Sequence, residues 1–494
     1  MAYGWRFYHE LKRKGRTPKE QAPQILGFVK MKLRPYQITL EESGRAAFRD
    51  GHRCIAMQAP TGAGKTVTFT SILKGAFDKG NDALLLTDRT ELFKQGKATL
   101  ELGGVSVSTI EPSTKVMPTS GIVVAMAPTL GRRLAKCGFS PKLIIVDEAH
   151  IGTFTRVLEH FPDAYVMGFT ATPMGKHIPK IYTHIVQGPQ VKELIKLGNL
   201  CKAKSFQMVD DVGPLKTQAG EFNNSDLFTF YDKPTLYSGV KNTWLKRGEC
   251  RPTLIFCVNI EHAEKTTEEF GEFARVITSH TQKDDRDRLL KEHREGVFPV
   301  LVNCGILTTG FDAPYVSLIV VNRATKSLPL WLQMCGRGSR PTPTKDTFEI
   351  WDFGGNFTRH GLWQADREWP LEQVRKKHAL GAPPVRKCKC GAMLDASAKE
   401  CEYCGHVFPV ADKTPIEGVL RALFETTELT PISRATVEQI VEAEKTGRIK
   451  AAFAWRVCRG RGLLKEYARV KGYKAAWIYR QQQNNSKEYK DISI

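Results

Sequence analysis

The stretch Ala59-Pro60-Thr61-Gly62-Ala63-Gly64-Lys65-Thr66 decides how this chain is read. It follows the apolar run Cys54-Ile55-Ala56-Met57 and precedes a helix-like run from Thr66 to Phe77. Strand, loop and helix in that order are the context a phosphate-cradling loop requires. Gly62 and Gly64 supply backbone angles that turn successive N–H groups onto phosphate oxygens, and the helix that follows presents its positive end. In such a loop Lys65 reaches the β- and γ-phosphates and the Thr66 hydroxyl holds Mg2+, while Pro60, Thr61 and Ala63 complete the cradle. Taken alone, the stretch also reads as a Gly-rich turn ending in Lys-Thr, because Ala59 stands where a glycine is usual.

Length and composition bound the rest. At 494 residues the chain exceeds a single core, so three or four domains are expected. The apolar share of 41% and charged share of 25% are those of a soluble globular protein. No apolar run is long enough to span a membrane, and the N-terminus has no apolar signal core, so a cytoplasmic location with no membrane partner is expected. The formal net charge of +21 points to a polyanionic partner, nucleic acid above all. The excess is uneven: residues 445–494 hold 13 Lys/Arg against 3 Asp/Glu, and residues 1–37 hold 9 against 2. Solvated basic faces would give the same counts. Of the twelve Cys, eight are scattered and read as reduced core residues, and four cluster between 388 and 404.

From 54 to 205 short apolar runs alternate with helical patterns, which implies a parallel, doubly wound α/β sheet. Strand candidates are Cys54–Met57, Ala83–Thr87, Gly121–Ala125, Leu143–Val146 and Ala164–Phe169. The fourth of these runs into Asp147-Glu148-Ala149-His150, so a strand buried on both faces delivers two carboxylates at its end. Asp147 is placed to hold Mg2+ and Glu148 to orient and activate the attacking water. A helix-capping pair is the bland alternative. Thr170-Ala171-Thr172 follows another strand end, either as a coupling element or as a plain turn before Pro173. A second α/β pattern runs through Thr253–Val258, Val300–Asn303 and Val316–Val321, with no phosphate loop of its own. It offers Gln333-Met334-Cys335-Gly336-Arg337-Gly338-Ser339-Arg340, where Arg337 and Arg340 share one helical face and suit the γ-phosphate of a nucleotide bound across a cleft. An exposed basic helix would look the same.

Assembled, these segments resemble superfamily 2 helicases and translocases over roughly residues 30–370. Leu33-Arg34-Pro35-Tyr36-Gln37 looks like the Q motif, with Gln37 as the adenine-reading glutamine. Ala59–Thr66 matches the phosphate loop in that superfamily's form, and Asp147–His150 resembles the DEAH box. Leu85–Leu92 with Arg89, and Val124–Leu130 with Thr129, look like strand-gripping segments; Thr170–Thr172 looks like motif III, implying coupling through His150, Thr170 and Thr172. Phe256–Asn259, Thr308–Asp312 and Gln333–Arg340 resemble motifs IV, V and VI. The resemblance implies ATP contacts from Arg34, Gln37, Gly310 and Asp312, catalysis by Lys65, Asp147, Glu148, Gln333, Arg337 and Arg340, and nucleic-acid contacts from Arg89, Thr129, Asn259 and Thr308. The spelling of these motifs, with Asp366-Arg367-Glu368-Trp369 before a Cys cluster, is most similar to the DNA-directed group of RadD-like, XPB-like and type III restriction helicases, many of them phage or prophage proteins. Thr309 stands where many relatives carry Glu. A bacterial cell, with a phage gene as a further source, is the implied setting.

Cys388-Lys389-Cys390 and Cys401-Glu402-Tyr403-Cys404 form two knuckles whose four thiolates suit a closed structural Zn2+ site. The first knuckle has one intervening residue where two are usual, and His406 is an alternative ligand. Such a ribbon would brace the C-terminal region or touch DNA. The remainder reads as helices at Ile416–Phe424, Arg434–Glu444 (with Ser433 as a cap) and from Ala451 on. There Trp455, Tyr467, Tyr473, Trp477 and Tyr479 interleave with Arg and Lys; a small domain needs such aromatics inside, which leaves the cations to face nucleic acid.

The expected architecture is α/β: two tandem RecA-like parallel-sheet domains, then a small zinc ribbon and a helical C-terminal domain. The expected boundaries are a basic extension at 1–30, an ATP-binding lobe at 31–205, a linker at 206–245, a second lobe at 246–372, the ribbon at 385–410 and basic helices at 413–494. The expected activity is ATP-dependent movement on DNA in replication, recombination or repair, with ATP, Mg2+ and Zn2+ as cofactors and a replication or repair protein as a candidate partner at the termini. An RNA helicase and an ATP-switched binding module without turnover are the alternatives.

Overall fold

Strand β5 (Leu143–Asp147) is five buried residues long, and the first lobe is built around it. In the computed structural model it lies at the centre of a seven-stranded parallel sheet of order β3-β4-β2-β5-β6-β1-β7. Its partners are β1 (Cys54–Gln58), β2 (Ala83–Thr87), β3 (Val107–Ile110), β4 (Ile122–Met126), β6 (Tyr165–Thr170) and β7 (His184–Gln187). Alternate residues feed two separate cores. Leu85 and Ile145 pack with Phe69, Leu73 and Phe93 on one face, and Leu86 and Val146 with Leu130, Phe154 and Val157 on the other. Helices therefore cover both faces, as a parallel sheet requires. Register sets the functional edge: Gln58 is paired with Thr170 and Asp147 with Phe169, so the ends of β1, β5 and β6 lie side by side.

The structure describes residues 33–209, 212–213, 215–218, 220–308, 311, 313–371, 383–408, 435–445, 451–474 and 477–478. The chain forms two compact units, Met1–Phe408 and Pro409–Ile494.

The first unit holds a second parallel sheet of six strands, order β12-β13-β11-β14-β15-β8. Here β8 (Lys202–Gln207) forms one edge, and β9 (Thr217–Gln218) and β10 (Glu221–Phe222) make a small hairpin. The remaining strands are β11 (Thr253–Phe256), β12 (Ala274–Ile277), β13 (Val300–Asn303), β14 (Leu318–Val321) and β15 (Thr347–Asp352). Two expected boundaries change. The first lobe was expected to reach residue 205, but β8 pairs with β15 along six residues and so belongs to the second sheet. Residues 206–245, expected as a linker, contain the helices Asn224–Tyr231 and Pro234–Arg247; Val240 and Trp244 of the latter are buried against Ile255 and Val320.

The cysteine ribbon is not a detached module. Its strands β16 (Val385–Lys387) and β17 (Met393–Asp395) pair antiparallel, and Ala392 bridges to Phe206 of β8. Gln207 N–H donates to the Gly391 carbonyl at 3.1 Å, and the Tyr403 ring lies 5.6 Å from that of Phe206. Cys388, Cys401 and Phe408 share a core with Val300, Val302 and Trp351.

In the second unit the helices Val437–Lys445, Ala451–Gly460 and Leu464–Lys471 enclose Tyr467, which is fully buried. Its hydroxyl donates to Glu444 Oε2 at 2.6 Å, and Lys471 reaches Glu444 Oε1 at 2.8 Å. Trp455 and Trp477 pack against the same core. The N-terminal cap of the first helix is a Thr436–Gln439 capping box rather than Ser433: Thr436 N–H donates to Gln439 Oε1 at 2.8 Å, and Gln439 N–H to Thr436 Oγ1 at 3.3 Å. The helix expected at 416–424, Tyr479 and the basic segment 1–30 lie outside the described residues.

Two buried histidines of the second lobe set an acid limit on its stability. His293 Nε2 faces the Pro299 carbonyl at 3.1 Å and must donate to it, so Nδ1 accepts from the Tyr315 hydroxyl at 3.1 Å. The imidazole is held neutral, and burial pushes its pKa down to about 4. Burial also brings His262 down to about 4. Because both folded values lie below the unfolded one, their contribution is complete above about pH 6.5 and is lost as pH falls from there towards 4. Unfolding of the second lobe should cost about 2 kcal/mol less per histidine at pH 5 than at pH 7. Denaturant titrations at the two pH values check this, and His293→Gln, which keeps a donor and an acceptor, should remove that residue's share of the slope.

Candidate active site between the two lobes

The loop Ala59–Gly64 turns through two left-handed glycines, Gly62 at φ 86° and Gly64 at φ 77°, the second of which opens the helix Lys65–Phe77. A side chain at Gly64 would meet Gln37 Nε2 at 2.6 Å. Lys65 Nζ lies 3.4 Å from the Ala59 carbonyl, folded back along the loop. The segment from Arg34 braces the loop from beneath. Tyr36 Oη donates to the Ala63 carbonyl at 3.0 Å, and Gln37 Nε2 donates to Ala63 and Gly64 carbonyls at 3.3 and 3.2 Å. Gln37 Oε1 accepts the Arg34 N–H at 2.9 Å. Both ends of the Gln37 amide are thus engaged within the protein, an arrangement its motif does not announce. Above the loop opens a cavity of about 520 Å3, walled by Arg34, Gln37, Gly64 and Thr66 of the first lobe and by Pro314 and Arg340 of the second.

Asp147 and Glu148 stand at the end of β5, both buried. Glu148 has φ 54°, in the left-handed region, at a cost of about 1–3 kcal/mol, and its N–H donates to Asp147 Oδ1 at 3.0 Å. The two carboxyls are driven apart electrostatically. Burial first, and the Glu148 charge second, push Asp147 up to about 7. Burial works against Glu148 as well, yet Lys65, His150 and Arg337 outweigh it and hold Glu148 down to about 2. His150 Nδ1 lies 3.0 Å from Thr170 Oγ1 and 3.3 Å from Glu148 Oε2. With Nδ1 protonated towards Glu148, Nε2 is left to accept from Gln333 Nε2, 3.4 Å away on the second lobe. Thr170 Oγ1 also accepts the Thr172 N–H at 3.0 Å. Thr172, Thr170, His150 and Gln333 therefore form one hydrogen-bonded chain across the cleft, and Glu148 Oε2 lies at ion-pair distance from its His150 member.

Gln333 and Arg337 ride on the helix Leu328–Gly336 and its C-cap. At its C-terminal end Gly336 lies against the phosphate loop, where an added Cβ would sit 2.9 Å from Thr61 Cβ. The Arg337 guanidinium donates to the Thr308 carbonyl at 3.1 and 2.7 Å and also to the Phe311 carbonyl. It anchors the Thr308 segment while remaining close enough to stabilise the Glu148 charge. Of the two arginines, Arg340 is the one that lines the cavity. Glu221 of the β9–β10 hairpin accepts from the backbone N–H groups of Lys326 and Ser327 at 2.7 and 3.2 Å, supporting the start of the same helix. Nothing in the sequence around Glu221 signals that role.

Two family models match the chain. Residues 30–175 match the family "Type III restriction enzyme, res subunit", and residues 238–342 match "Helicase conserved C-terminal domain". The chain belongs to the superfamily 2 helicases. It is 31% identical over 361 residues to a putative ATP-dependent helicase, IRC3, of Saccharomyces cerevisiae, covering 65% of this chain and 51% of that protein. It is 29% identical over 371 residues to a 51.5 kDa protein of a Lactococcus phage, covering 72% and 79%. A fragment of a putative HsdR subunit of a type I restriction enzyme from Vibrio vulnificus shares the fold, with a TM-score of 0.54 at 21% identity over 69% of this chain and 66% of that one. The chain thus spans about half the length of the yeast helicase.

The helicase's expected nucleic-acid residues all follow strand ends on the same edge of their sheets as the nucleotide site. Arg89 follows β2, the neighbour of β5, and Thr129 follows β4 one strand further out, while Asn259 and Thr308 follow β11 and β13. The Asn259 and Thr308 side chains are engaged within the protein. Asn259 Oδ1 caps the helix Ile260–Phe270 by accepting the His262 N–H at 2.8 Å. Thr308 is buried, and its hydroxyl donates to the Gly305 carbonyl at 2.8 Å. Gly310 and Asp312 lie outside the described residues.

In the ribbon the sulfurs of Cys388, Cys390, Cys401 and Cys404 all lie within 4.8 Å of one another. Cys388 and Cys404 are 3.6 Å apart and Cys390 and Cys401 3.8 Å. A tetrahedron with Zn–S bonds of about 2.3 Å has edges of about 3.8 Å, so the four thiols fit that ion. His406 contributes its carbonyl, which accepts the Cys401 N–H at 2.8 Å. Among the described residues, oxygen donors for Mg2+ are available from Thr66 beside the cavity and Asp147 at the strand end.

Glu148→Gln should lower ATP turnover about 10²–10⁴-fold, because an amide cannot take the proton of the attacking water. Nucleotide binding should survive, since Gln keeps the shape; steady-state turnover and equilibrium binding of a labelled nucleotide check the two halves separately.

Proposed function

We propose that this superfamily 2 helicase is an ATP-driven motor that moves on or unwinds DNA. The observation that carries the proposal is the line of contacts from Glu148 through His150 to Gln333, an ion-pair distance of 3.3 Å followed by a hydrogen bond of 3.4 Å that crosses to the second lobe. The general base is in its working arrangement only while the second lobe is docked, so hydrolysis is tied to a change in the relation of the lobes. ATP in the cavity would be held by Gly62, Gly64 and Lys65 from one side and met by Arg340 from the other. Thr66 and Asp147 would hold Mg2+, which when bound neutralises phosphate charge. Glu148, ionised well below neutral pH, takes the proton of water in line with the γ-phosphate. Departure of phosphate removes the charge that draws Arg340 towards Lys65, and the lobes part. Arg89 and Thr129 on one lobe, and backbone groups near Asn259 and Thr308 on the other, would then grip alternate positions of a nucleic acid backbone.

The four ribbon cysteines would bind Zn2+, and a reducing cytoplasm suits the twelve free thiols. No helix among the described residues is long and apolar enough to cross a membrane. Metal analysis of the purified chain should find about one zinc per molecule, and Cys401→Ser should remove it together with part of the thermal stability of the second lobe.

Steady-state turnover measured with no nucleic acid, single-stranded DNA, duplex DNA, forked DNA and RNA tests the motor directly. Stimulation by DNA well above RNA is expected, falling steeply with added salt because phosphate contacts release counterions. Preferential stimulation by RNA would replace the substrate while keeping the motor, and absence of stimulation by any of them would overturn the proposal.

A further inference from the structure

Two segments build the second-lobe wall of the nucleotide cavity: the turn containing Pro314 and the turn that carries Arg340 and Pro341. One side chain joins them. Lys345 Nζ lies 2.7 Å from the Val316 carbonyl and 2.9 Å from the Gly338 carbonyl. Val316 closes the Pro314 turn, its N–H donating to the Ala313 carbonyl at 3.1 Å, and Gly338 sits between Arg337 and Arg340. Lys345 is itself fixed by two backbone hydrogen bonds with Thr342, of 3.0 and 3.1 Å. The Arg340 turn is held on its other side too, where the Cys201 N–H donates to the Ser339 carbonyl at 2.7 Å. At Gly338 the packing is so close that a Cβ would meet Phe348 at 2.4 Å. Burial lowers the Lys345 pKa to about 8, with Arg340 acting in the same direction and Cys201 against it. An ammonium drawn partly out of water is costly, and here its ligands are two carbonyl oxygens of separate cavity walls.

We infer that Lys345 is a positioning residue for ATP hydrolysis, pinning the Arg340 turn to the Pro314 turn so that the Arg340 guanidinium faces the γ-phosphate. The inference rests on the reading of Arg340 as the γ-phosphate ligand. Without the pin the two turns move independently, and the arginine loses its fixed approach while the first-lobe half of the site is untouched. ADP, which lacks the γ-phosphate, should not register the change.

The test uses the full chain as wild type, Arg340→Ala, Lys345→Met and Lys345→Gln, with thermal unfolding and equilibrium binding of ADP and of the slowly hydrolysed analogue ATPγS. Arg340→Ala and Lys345→Met should each lower the preference for ATPγS over ADP about tenfold, with ADP affinity and unfolding temperature close to wild type. Lys345→Gln, which keeps a donor without the charge, should fall between, and it carries the test if Lys345→Met does not fold. A loss of preference in Arg340→Ala but not in the Lys345 variants overturns the inference alone, as does equal weakening of both nucleotides with a lowered unfolding temperature. An unchanged preference in Arg340→Ala overturns the reading of Arg340 and the inference with it.

Discussion

Two neighbouring carboxylates at the end of a fully buried strand are an electrostatic burden, and much of the site is arranged around relieving it. Desolvation alone would neutralise both. Asp147 yields, and its carboxyl is the natural place for a cation. Glu148 stays ionised because three positive or proton-donating groups converge on it: Lys65 from the phosphate loop, His150 from the next turn of chain, and Arg337 from the other lobe. Two of these come with the first lobe and one does not. The charge of Glu148, the proposed general base, is therefore fully supported only when the lobes are together, which would link closure to catalytic competence without any additional signal. The left-handed backbone at Glu148 fits the same account, since it is a cost accepted at one residue to turn a side chain away from the helix-covered face that ordinary strand geometry would give it.

How much of this was legible in sequence follows from burial. β1, β2, β5, β11, β13 and β14 are central strands with almost every residue inside, so they appear as unbroken apolar runs. β3, β7 and β12 are edge strands with mixed exposure, and short segments such as His184-Ile185-Val186-Gln187 carry no period to detect. β8 misleads in a more informative way. Lys202-Ala203-Lys204-Ser205-Phe206-Gln207 looks like the polar tail of the first lobe, and only its pairing with β15 assigns it to the second. In the site, residue types tied to phosphate, water and magnesium chemistry were readable because the chemistry dictates their spacing. Asn259 and Thr308 bond to backbone groups three residues away in their own turns, whereas Gln37 and Arg337 bond to carbonyls 26 and 29 residues away, which no motif announces. Glu221 and Lys345 were invisible for the same reason: a carboxylate under a helix start and an ammonium between two carbonyls have no local signature.

The position of the ribbon follows from the edge it covers. An edge strand presents unpaired backbone groups and invites association with another chain unless something covers it. β8 is such an edge, and the ribbon lies along it through Ala392, Gly391 and the Tyr403 ring. The ribbon has too few residues to make a core of its own, so Cys388, Cys401 and Phe408 borrow that of the second sheet. The dependence runs in both directions. Four thiolates would keep the ribbon folded when they hold a metal, and the folded ribbon keeps the edge of β8 closed. Since β8 is also the first strand after the crossing from the first lobe, its other end lies beside Cys201, whose N–H supports the Arg340 turn. The cysteine cluster, remote from the nucleotide cavity, is thus joined to it by a single strand, so a ribbon in that place would act on the nucleotide site through the stiffness of the second lobe rather than through contact with the nucleotide.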